Sequence, residues 1–269
     1  MSSTLIASFR QLHHGTQPLA LPNAWDAGSA RLFESLGAPA IATTSAGVAW
    51  ALGYADGGKL PADAALAVVA NIARVLRVPL SVDVEHGYSD DPVAVAGFVQ
   101  QLLDLGVAGI NIEDGSHAPE LLARKVEAIK NIAAKSGADI FVNARTDVFL
   151  AGLAEAPRRI DETLVRGKLY QGAGADGLFV PGLSDPAQIK AVADGIELPL
   201  NVMAWPGLPP AEQLGELGVR RLSAGSGISQ MLWGQARTLA QNFLESGRSE
   251  PMGEGSMPYP QLQGLFAER

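Results

Sequence analysis

Residues 79–88 read P-L-S-V-D-V-E-H-G-Y, an apolar run that ends in two carboxylates, a histidine and a glycine. The pattern recurs at 109–115, G-I-N-I-E-D-G, and at 140–147, I-F-V-N-A-R-T-D. Successive β-type runs that end in charged residues are typical of a parallel barrel whose functional site lies at the carboxyl ends of its strands. These three stretches therefore predict an α/β barrel and an enzymatic site at one of its ends.

Short apolar runs alternate with longer amphipathic segments along the whole chain. The segments carry apolar residues at helical spacing, as at Ala64, Val68 and Ile72. Eight strand–helix units predict a (β/α)8 TIM-type barrel. An open doubly wound sheet is the structural alternative, which the lack of G-x-G-x-x-G after the first run disfavours. The predicted strands are 19–22, 39–44, 79–83, 108–113, 139–144, 176–181, 198–203 and 219–223.

Two regions lie outside this repeat. Residues 2–15 predict a helix before the barrel, and 226–246 predict a long helix after it. The tail beyond contains Pro and Gly and ends in the apolar stretch L-Q-G-L-F at 262–266. We expect a single domain over 1–269, in which 226–269 form a C-terminal helical extension. That extension either docks on its own barrel or is exchanged between subunits.

The composition excludes several classes of function. The net charge is −8 without a cluster of Lys and Arg, which argues against nucleic acid or an anionic membrane as a partner. Cysteine is absent, so disulfides, thiolate metal sites and thiol catalysis are excluded. We find neither a secretory signal pattern nor an apolar run of membrane-helix length, and we expect a cytoplasmic protein.

Asp83 and Glu85 are the strongest candidates for a metal site. Side chains two residues apart on a strand point the same way, so these carboxylates can converge on one hard cation. Carboxylate oxygens without cysteine ligands favour Mg²⁺, with Mn²⁺ also possible. The alternative is a solvated strand end. Asp56, in the loop G-Y-A-D-G-G, is a further candidate acid of the same ambiguous standing.

Arg145 and Glu113 end the next two charged strands. A guanidinium after so apolar a strand is costly without an anionic partner, so Arg145 suits carboxylate recognition or stabilisation of an enolate. A structural ion pair with Asp147 is the alternative. Glu113 would bind a metal-linked water or lie behind the metal ligands, whereas Asp114 is interpreted as a loop cap.

Two loops supply the remaining candidates. The segment A-T-T-S-A-G-V-A offers small residues and amides at Thr44, Ser45 and Gly47 that could hold a carboxylate, although these residues could also only cap a helix. His86 and His117 are candidate acids or bases, with a purely polar loop role as the alternative.

Together these stretches resemble the isocitrate lyase/phosphoenolpyruvate mutase superfamily. The resemblance covers L-P-N-A-W-D-A-G-S-A-R, A-T-T-S-A-G-V-A-W-A-L-G-Y-A-D-G-G, S-V-D-V-E-H-G-Y, A-G-I-N-I-E-D and A-R-T-D-V-F-L, in order over the first five strands, and P-L-N-V-M and the closing helix extend it. It implies a modified (β/α)8 barrel with C-terminal helices exchanged between subunits, and thus a homodimer or homotetramer.

The resemblance also implies site roles. It places Mg²⁺ on Asp83 and Glu85 with Asp56 and Glu113 acting through waters, the oxo-acid cradle on Thr44 and Ser45, the enolate-stabilising arginine at Arg145, and a further substrate contact at Asn201. The chain departs from the family lyases after its fourth strand, where D-G-S-H-A-P-E-L-L-A-R-K is short and lacks the family's catalytic cysteine. The acid of the family lyases near the end of strand six is missing as well.

We therefore expect a Mg²⁺-dependent carbon–carbon lyase. It would act on a small 2-hydroxy or 2-oxo di- or tricarboxylate through a pyruvate-type enolate, with a non-thiol proton donor. An oxaloacetate decarboxylase, a phosphonopyruvate hydrolase and a 2-oxo-acid-binding protein with little catalysis are the alternatives.

Overall fold

The computed structural model describes residues 2–267 and contains a nearly closed ring of parallel strands with helices around it. Every strand pairing is parallel, and neighbours in the ring follow the order of the chain. The strands are β1 (Leu19–Leu21), β2 (Asn23–Ala24), β3 (Ile41–Thr43), β4 (Leu80–Asp83), β5 (Gly109–Glu113), β6 (Phe141–Arg145), β7 (Gly177–Phe179), β8 (Leu200–Met203) and β9 (Val219–Ser223). The predicted TIM-type barrel is confirmed.

The ring has nine segments because Pro22 interrupts the first predicted strand. Proline has no backbone N–H to donate, which confines it to edges and breaks in a sheet. The part before Pro22 pairs with β9 and the part after it with β3, while the Pro22 carbonyl accepts from the Ala42 N–H at 3.4 Å. Segments β1 and β2 therefore connect β9 with β3 and nearly close the ring. Each of the eight predicted runs contains a strand.

The helices cover the outside of the ring. Asp26, Asp91 and Asp185 accept hydrogen bonds from backbone N–H groups at the starts of α2, α5 and α8, as their positions before these segments predict. The helices are α1 (Ser2–Gln11), α2 (Ala27–Ser35), α3 (Ser45–Ala51), α4 (Ala62–Val75), α5 (Pro92–Asp104), α6 (Pro119–Lys135), α7 (Arg159–Gly172), α8 (Pro186–Gly195), α9 (Ala211–Glu216), α10 (Gly227–Ser246), α11 (Glu250–Gly253) and α12 (Tyr259–Gly264). Within residues 2–267, no helix is long and apolar enough to cross a membrane.

Helix α1 covers the N-terminal end of the barrel. Phe9 is fully buried, and its ring lies edge-on to Phe141, the first residue of β6, with centroids 5.5 Å apart. A Cβ on Gly109 would lie 2.7 Å from the Phe9 ring, so only glycine at the start of β5 leaves room for it. The barrel is thus sealed at this end and can open only at the carboxyl ends of its strands.

The C-terminal extension packs less tightly than the barrel. Ser229 is the buried residue of α10, and most of the helix beyond it is exposed. The tail returns to α2, where Arg31 Nε donates to the Leu265 carbonyl at 2.9 Å. The tail therefore contacts its own barrel at this point, and the choice between docking there and exchange between subunits stays a prediction.

Candidate active site

A cavity of about 230 Å³ opens at the carboxyl ends of the strands. Among the predicted site residues, five line it: Thr44, Ser45, Asp56, Asp83 and Arg145. They come from β4, β6 and the loops after β3 and α3, which the parallel topology brings to one end of the ring. The other lining residues are Asn23, Ala46, Asn111, Leu150, Phe179, Pro181, Met203, Trp205, Ser223, Gly225 and Ser226.

Asp83 is held in a defined orientation at the end of β4. Its Oδ2 accepts from Ser45 Oγ at 3.1 Å, and its Oδ1 accepts from the Glu85 N–H at 3.2 Å. The Asp83 N–H donates to Thr43 Oγ1 at 2.8 Å. Because both carboxylate oxygens and the backbone are fixed, Asp83 presents a preorganised acidic ligand to the cavity.

Glu85 lies beside the cavity in an unusual backbone conformation. Its φ is 51° and that of Tyr88 is 60°, so two non-glycine residues of this short turn adopt the left-handed region. Such strain persists where the surrounding structure enforces it, often at functional sites. The Glu85 carboxylate accepts from the Gly58 N–H, which ties the turn to the loop that carries Asp56.

Arg145 is the cationic centre of the site. Its NH1 pairs with Glu113 Oε2 at 2.7 Å, and its Nε with Asp147 Oδ1 at 2.7 Å. The predicted ion pair with Asp147 is present, and it coexists with the position of Arg145 in the cavity wall. Two carboxylates therefore orient the guanidinium, and a role of Arg145 in anion binding stays a prediction.

Burial of these carboxylates shifts their protonation. Burial raises the pKa of Glu113 to about 8, with Asp83 and Asp147 adding to the rise and Arg145 opposing it. Burial also raises the pKa of Glu85 to about 7, helped by Asp83 and Asp56 and opposed by the Gly58 N–H and Arg145. Burial is the main cause of both shifts, and the neighbouring acids add to it.

The donor set suits a hydrated Mg²⁺. Asp83 and Asp56 both face the cavity, and Mg²⁺ commonly takes one or two carboxylates and keeps several waters. Across the part of the chain that the structure describes, no group of three or more His, Asp or Glu side chains could enclose an ion by itself. Any metal here would therefore be completed by water or substrate, and Glu85 would act from behind Asp83.

The loop after β3 caps a helix and also lines the cavity, and its role in holding a carboxylate stays a prediction. Thr44 caps α3, its Oγ1 accepting from the Gly47 N–H at 3.3 Å, while Thr44 and Ser45 also line the cavity. Gly47 lies behind them, where a Cβ would approach Thr44 Cγ2 to 2.7 Å. Glycine at this position therefore lets the loop pack closely against the barrel mouth.

The two candidate histidines lie together outside the cavity wall. The rings of His86 and His117 are stacked with centroids 6.3 Å apart. His117 Nε2 is 3.7 Å from Asp90 Oδ1, and burial, reinforced by Lys125, lowers the pKa of His86. Neither ring reaches the cavity lining, so a catalytic role for them stays a prediction.

Asp114 and Asn201 are buried in supporting positions. Asp114 accepts from the Asp147 N–H at 3.0 Å and from Arg166 NH1 at 2.9 Å, so it holds the loop after β6. Asn201 is fully buried and its amide accepts from Asn143 Nδ2 at 2.9 Å. Asn201 does not line the cavity, and direct contact with substrate stays a prediction.

Sequence reasoning missed Asn111 and Asn143. Each is the central residue of an otherwise apolar strand, in I-N-I and V-N-A, and Asn201 repeats the pattern in L-N-V. An asparagine between apolar residues in each of three barrel strands indicates a buried polar network, because a buried amide needs a hydrogen-bond partner. Asn111 is the member of this trio that lines the cavity.

An apolar wall was missed as well. It consists of Phe179 and Met203 at the ends of β7 and β8, with Pro181, Trp205 and Leu150 from the loops after β6, β7 and β8. Leu150 lies in a π-helical turn, Val148–Gly152, and such turns are frequent at functional sites. The cavity therefore has an acidic side and an apolar side.

Comparison with known proteins agrees with this geometry. The family model for phosphoenolpyruvate phosphomutase matches residues 9–244. An uncharacterized protein of Mycobacterium tuberculosis (strain CDC 1551 / Oshkosh) is 41% identical over 267 residues, 97% of this chain and 96% of that protein.

Two relatives carry activity names. Oxaloacetate decarboxylase 1 of Pseudomonas fluorescens (strain Pf0-1) is 30% identical over 227 residues, 82% of this chain and 78% of that protein. The 2-methylisocitrate lyase of Escherichia coli (strain K12) is 29% identical over 205 residues, 72% of this chain and 67% of that protein. These matches confirm the predicted resemblance and the prediction of an enzyme. The chain belongs to the phosphoenolpyruvate phosphomutase family, within the isocitrate lyase/phosphoenolpyruvate mutase superfamily.

Proposed function

We propose that this protein is a Mg²⁺-dependent carbon–carbon lyase that cleaves a small 2-hydroxy or 2-oxo di- or tricarboxylate through a pyruvate-type enolate. The observation that carries the proposal is that Asp83 and Arg145 both line one small cavity at the barrel mouth. An acidic metal ligand and a fixed guanidinium in the same cavity suit an oxo acid whose negative charge grows during bond cleavage.

Thr44, Ser45 and Arg145 have separate roles in the proposed reaction. The loop at Thr44 and Ser45 offers the Thr44 hydroxyl and nearby backbone amides to the carboxylate of the oxo acid, while the Ser45 hydroxyl donates to Asp83. Arg145 is held by Glu113 and Asp147 and places its positive charge where the enolate oxygen develops. Because the guanidinium is already oriented before substrate arrives, little reorganisation is needed during the reaction.

Mg²⁺ would be held by Asp83 with Asp56 and Glu85 in support, and when bound it supplies Lewis-acid stabilisation of an enolate. Within residues 2–267, neither a histidine nor a cysteine lines the cavity. The proton that completes the released product then comes from water entering the open mouth. His86 and His117 are the alternative proton donors, because His86 directly follows Glu85 in the sequence.

Oxaloacetate decarboxylation is the second candidate. The named Pseudomonas fluorescens relative favours it, and a cavity of about 230 Å³ admits a four-carbon acid more readily than a tricarboxylate. The same cation and arginine would stabilise the enolate that remains after loss of carbon dioxide.

A substrate panel with product detection tests the proposal. Purified protein with Mg²⁺ is incubated with oxaloacetate, phosphonopyruvate, and 2-hydroxy di- and tricarboxylates. We expect pyruvate or glyoxylate together with a second carbon fragment. Pyruvate with carbon dioxide as the second product would indicate the decarboxylase, pyruvate with phosphate would indicate a hydrolase, and binding without any product would leave an oxo-acid-binding protein.

We also propose that the protein is a homodimer or homotetramer that self-associates through α10. Met231, Trp233 and Leu244 on this helix are 64%, 55% and 83% exposed. A second copy is the occupant that the exposed helix fits best, because the aromatic and aliphatic side chains continue into the tail at Tyr259 and Phe266. Sedimentation velocity of wild type and Trp233→Glu tests this, and a wild-type monomer at micromolar concentration would contradict it.

A further inference from the structure

A polar network fills the barrel interior beneath the cavity. Asn111 on β5, Asn143 on β6 and Asn201 on β8 are joined by hydrogen bonds, with Asn143 Nδ2 donating at 2.9 Å to both Asn111 Oδ1 and Asn201 Oδ1. A Cβ on Gly177 would lie 2.7 Å from Asn143 Oδ1, so glycine in β7 makes space for the network. The interior is polar at the level where Asp83 and Asn111 are paired in register.

Arg221, on β9, lies at the bottom of this network. Its NH2 donates to Asn111 Oδ1 at 3.1 Å and to Ser81 Oγ at 3.3 Å, and its guanidinium lies 5.8 Å above the Phe9 ring. The side chain therefore occupies the layer between the Phe9 seal and the cavity floor.

The buried position of Arg221 does not favour the stability of the fold. The residue is 1% exposed, and among the described residues neither Nε nor NH1 has a hydrogen-bond partner. Burial lowers its pKa to about 9, and Asp83 is the charge that opposes this shift. An unpaired buried cation costs free energy that an apolar residue would save, so its presence indicates a role at the site.

The hydrogen bonds of Arg221 determine how Asn111 is oriented. A guanidinium can only donate, so the Asn111 atom that faces Arg221 must be the amide oxygen. That oxygen also accepts from Asn143. The Asn111 Nδ2 group is then directed away from Arg221, and Asn111 is the residue of the network's asparagine trio that lines the cavity.

We propose that Asn111 is a substrate-binding residue that donates its amide N–H to an oxygen of the bound oxo acid, and that Arg221 is the positioning residue that fixes this amide from below. The inference rests on the proposed function, since it assigns a further contact of the same site. Arg221 also brings positive charge under a cavity whose mouth is rich in carboxylates.

Calorimetric titration of pyruvate at saturating Mg²⁺ tests both roles. Loss of one hydrogen bond to a charged ligand weakens binding by about tenfold, which is the expected effect of Asn111→Ala. We expect Arg221→Met to weaken pyruvate binding to a similar extent, and the double variant to be no weaker than Asn111→Ala alone. Arg220→Met is the matched control, because Arg220 NH1 donates to the backbone carbonyls of Gly215 and Val219 instead.

Two further readouts separate positioning from a structural role. Arg221→Met should bind Mg²⁺ alone at least as tightly as wild type, because a cation that interacts with Asp83 is removed. Its melting temperature should not fall, because the variant replaces a poorly satisfied buried charge by an apolar side chain. A combined loss of Mg²⁺ binding, pyruvate binding and thermal stability, or failure of the variant to fold, would overturn the positioning role.

The outcome for the proposed function is distinct. Pyruvate binding in wild type that Asn111→Ala and Arg221→Met leave unchanged would overturn this inference and leave the oxo-acid site standing. Absence of Mg²⁺-dependent pyruvate binding in wild type would overturn the proposed function and the inference together.

Discussion

The two ends of the barrel organise their charges in opposite ways. At the N-terminal end Arg10 pairs with Asp139 and Asp176 at 2.6 Å each, and Lys130 pairs with the same two acids at 2.8 and 3.0 Å. At the C-terminal end several carboxylates gather around Arg145, and the pKa values of Glu85 and Glu113 are raised to about 7 and about 8 by burial.

This difference separates stability from function within one fold. Burial alone would raise the pKa of Asp139, but Lys130 and Arg10 outweigh it and the pKa is lowered, so folding favours the charged form. At the C-terminal end burial disfavours the charged forms of Glu85 and Glu113. The charges of the N-terminal end are therefore balanced, whereas the excess of acids at the other end is where we propose that a metal and an anionic substrate bind.

The largest expected effect follows from removing the Arg145 guanidinium at the C-terminal end of the barrel. We expect Arg145→Gln to lower kcat by about 10²–10³-fold, the typical cost of losing a preorganised electrostatic group. The melting temperature should also fall, because Asp147 loses its partner, whereas Glu113 can be protonated. Steady-state kinetics on the substrate found in the panel checks this, with the exposed Arg124→Gln on α6 as control. A loss of less than about fivefold would contradict the role given to Arg145.

The corresponding change at the N-terminal end should affect stability instead. The Asp176 carboxylate pairs with Arg10 and Lys130 and accepts from the Val142 N–H at 2.8 Å. We expect Asp176→Ala to lower the free energy of unfolding by about 3 kcal/mol, because two partly buried cations lose a partner.

Urea denaturation of Asp176→Ala measures this loss, and kcat should be unchanged. Asp194→Ala is the matched control, since Asp194 forms a single exposed ion pair with Lys190. A surface pair of this kind contributes at most about 1 kcal/mol. Equal losses in the two variants would contradict a special role for the N-terminal network.

A buried histidine at the N-terminal end of the barrel predicts that folding stability depends on pH. His13 is buried against Phe141 with ring centroids 4.2 Å apart, and burial, reinforced by Arg221, lowers its pKa to about 3. Between about pH 6.5 and 3 the unfolded chain binds a proton that the folded protein excludes, so stability falls as pH falls, by up to about 1.4 kcal/mol per unit. Denaturation of His13→Phe at several pH values should show a shallower slope, and an unchanged slope would contradict this.

The smallest effect concerns Mg²⁺ and pH at the other end. The folded protein holds protons on Glu85 and Glu113 that the unfolded chain releases above about pH 4.5, so without a cation stability falls as pH rises toward 8. Bound Mg²⁺ would favour the charged carboxylates and offset this loss. We expect Mg²⁺ to raise the melting temperature by about 2–4 °C more at pH 8 than at pH 6. A larger rise at pH 6 would contradict the metal site.

The sequence predicted the barrel because its signals are local. Apolar runs mark each strand, and charged residues at their ends mark the site, as with Asp83 and Arg145. The central asparagines of three strands were visible too, but which of them faces the cavity depends on register and on Arg221. In the sequence Arg221 stands next to Arg220 in V-R-R-L-S, and no local pattern indicates which of the two arginines faces the barrel interior.

Other features depend on contacts far apart in the chain. Glu85 accepts from Gly58 because two loops meet, and the Phe9 seal depends on glycine at position 109 in a distant strand. Sequence proximity placed His86 beside the candidate metal ligands, and the structure shows that its ring also stacks on that of His117, outside the cavity wall. This contact joins two loops that are distant in the sequence.

The most direct test of the oxo-acid site is calorimetric titration of pyruvate with and without Mg²⁺, on wild type and on Asp83→Ala. We predict binding by wild type that requires Mg²⁺ and is lost in Asp83→Ala, while the N-terminal control Asp139→Ala binds as wild type does. Pyruvate binding that is independent of Mg²⁺, or that survives in Asp83→Ala, would contradict the assignment of the C-terminal end of the barrel as a metal-dependent active site.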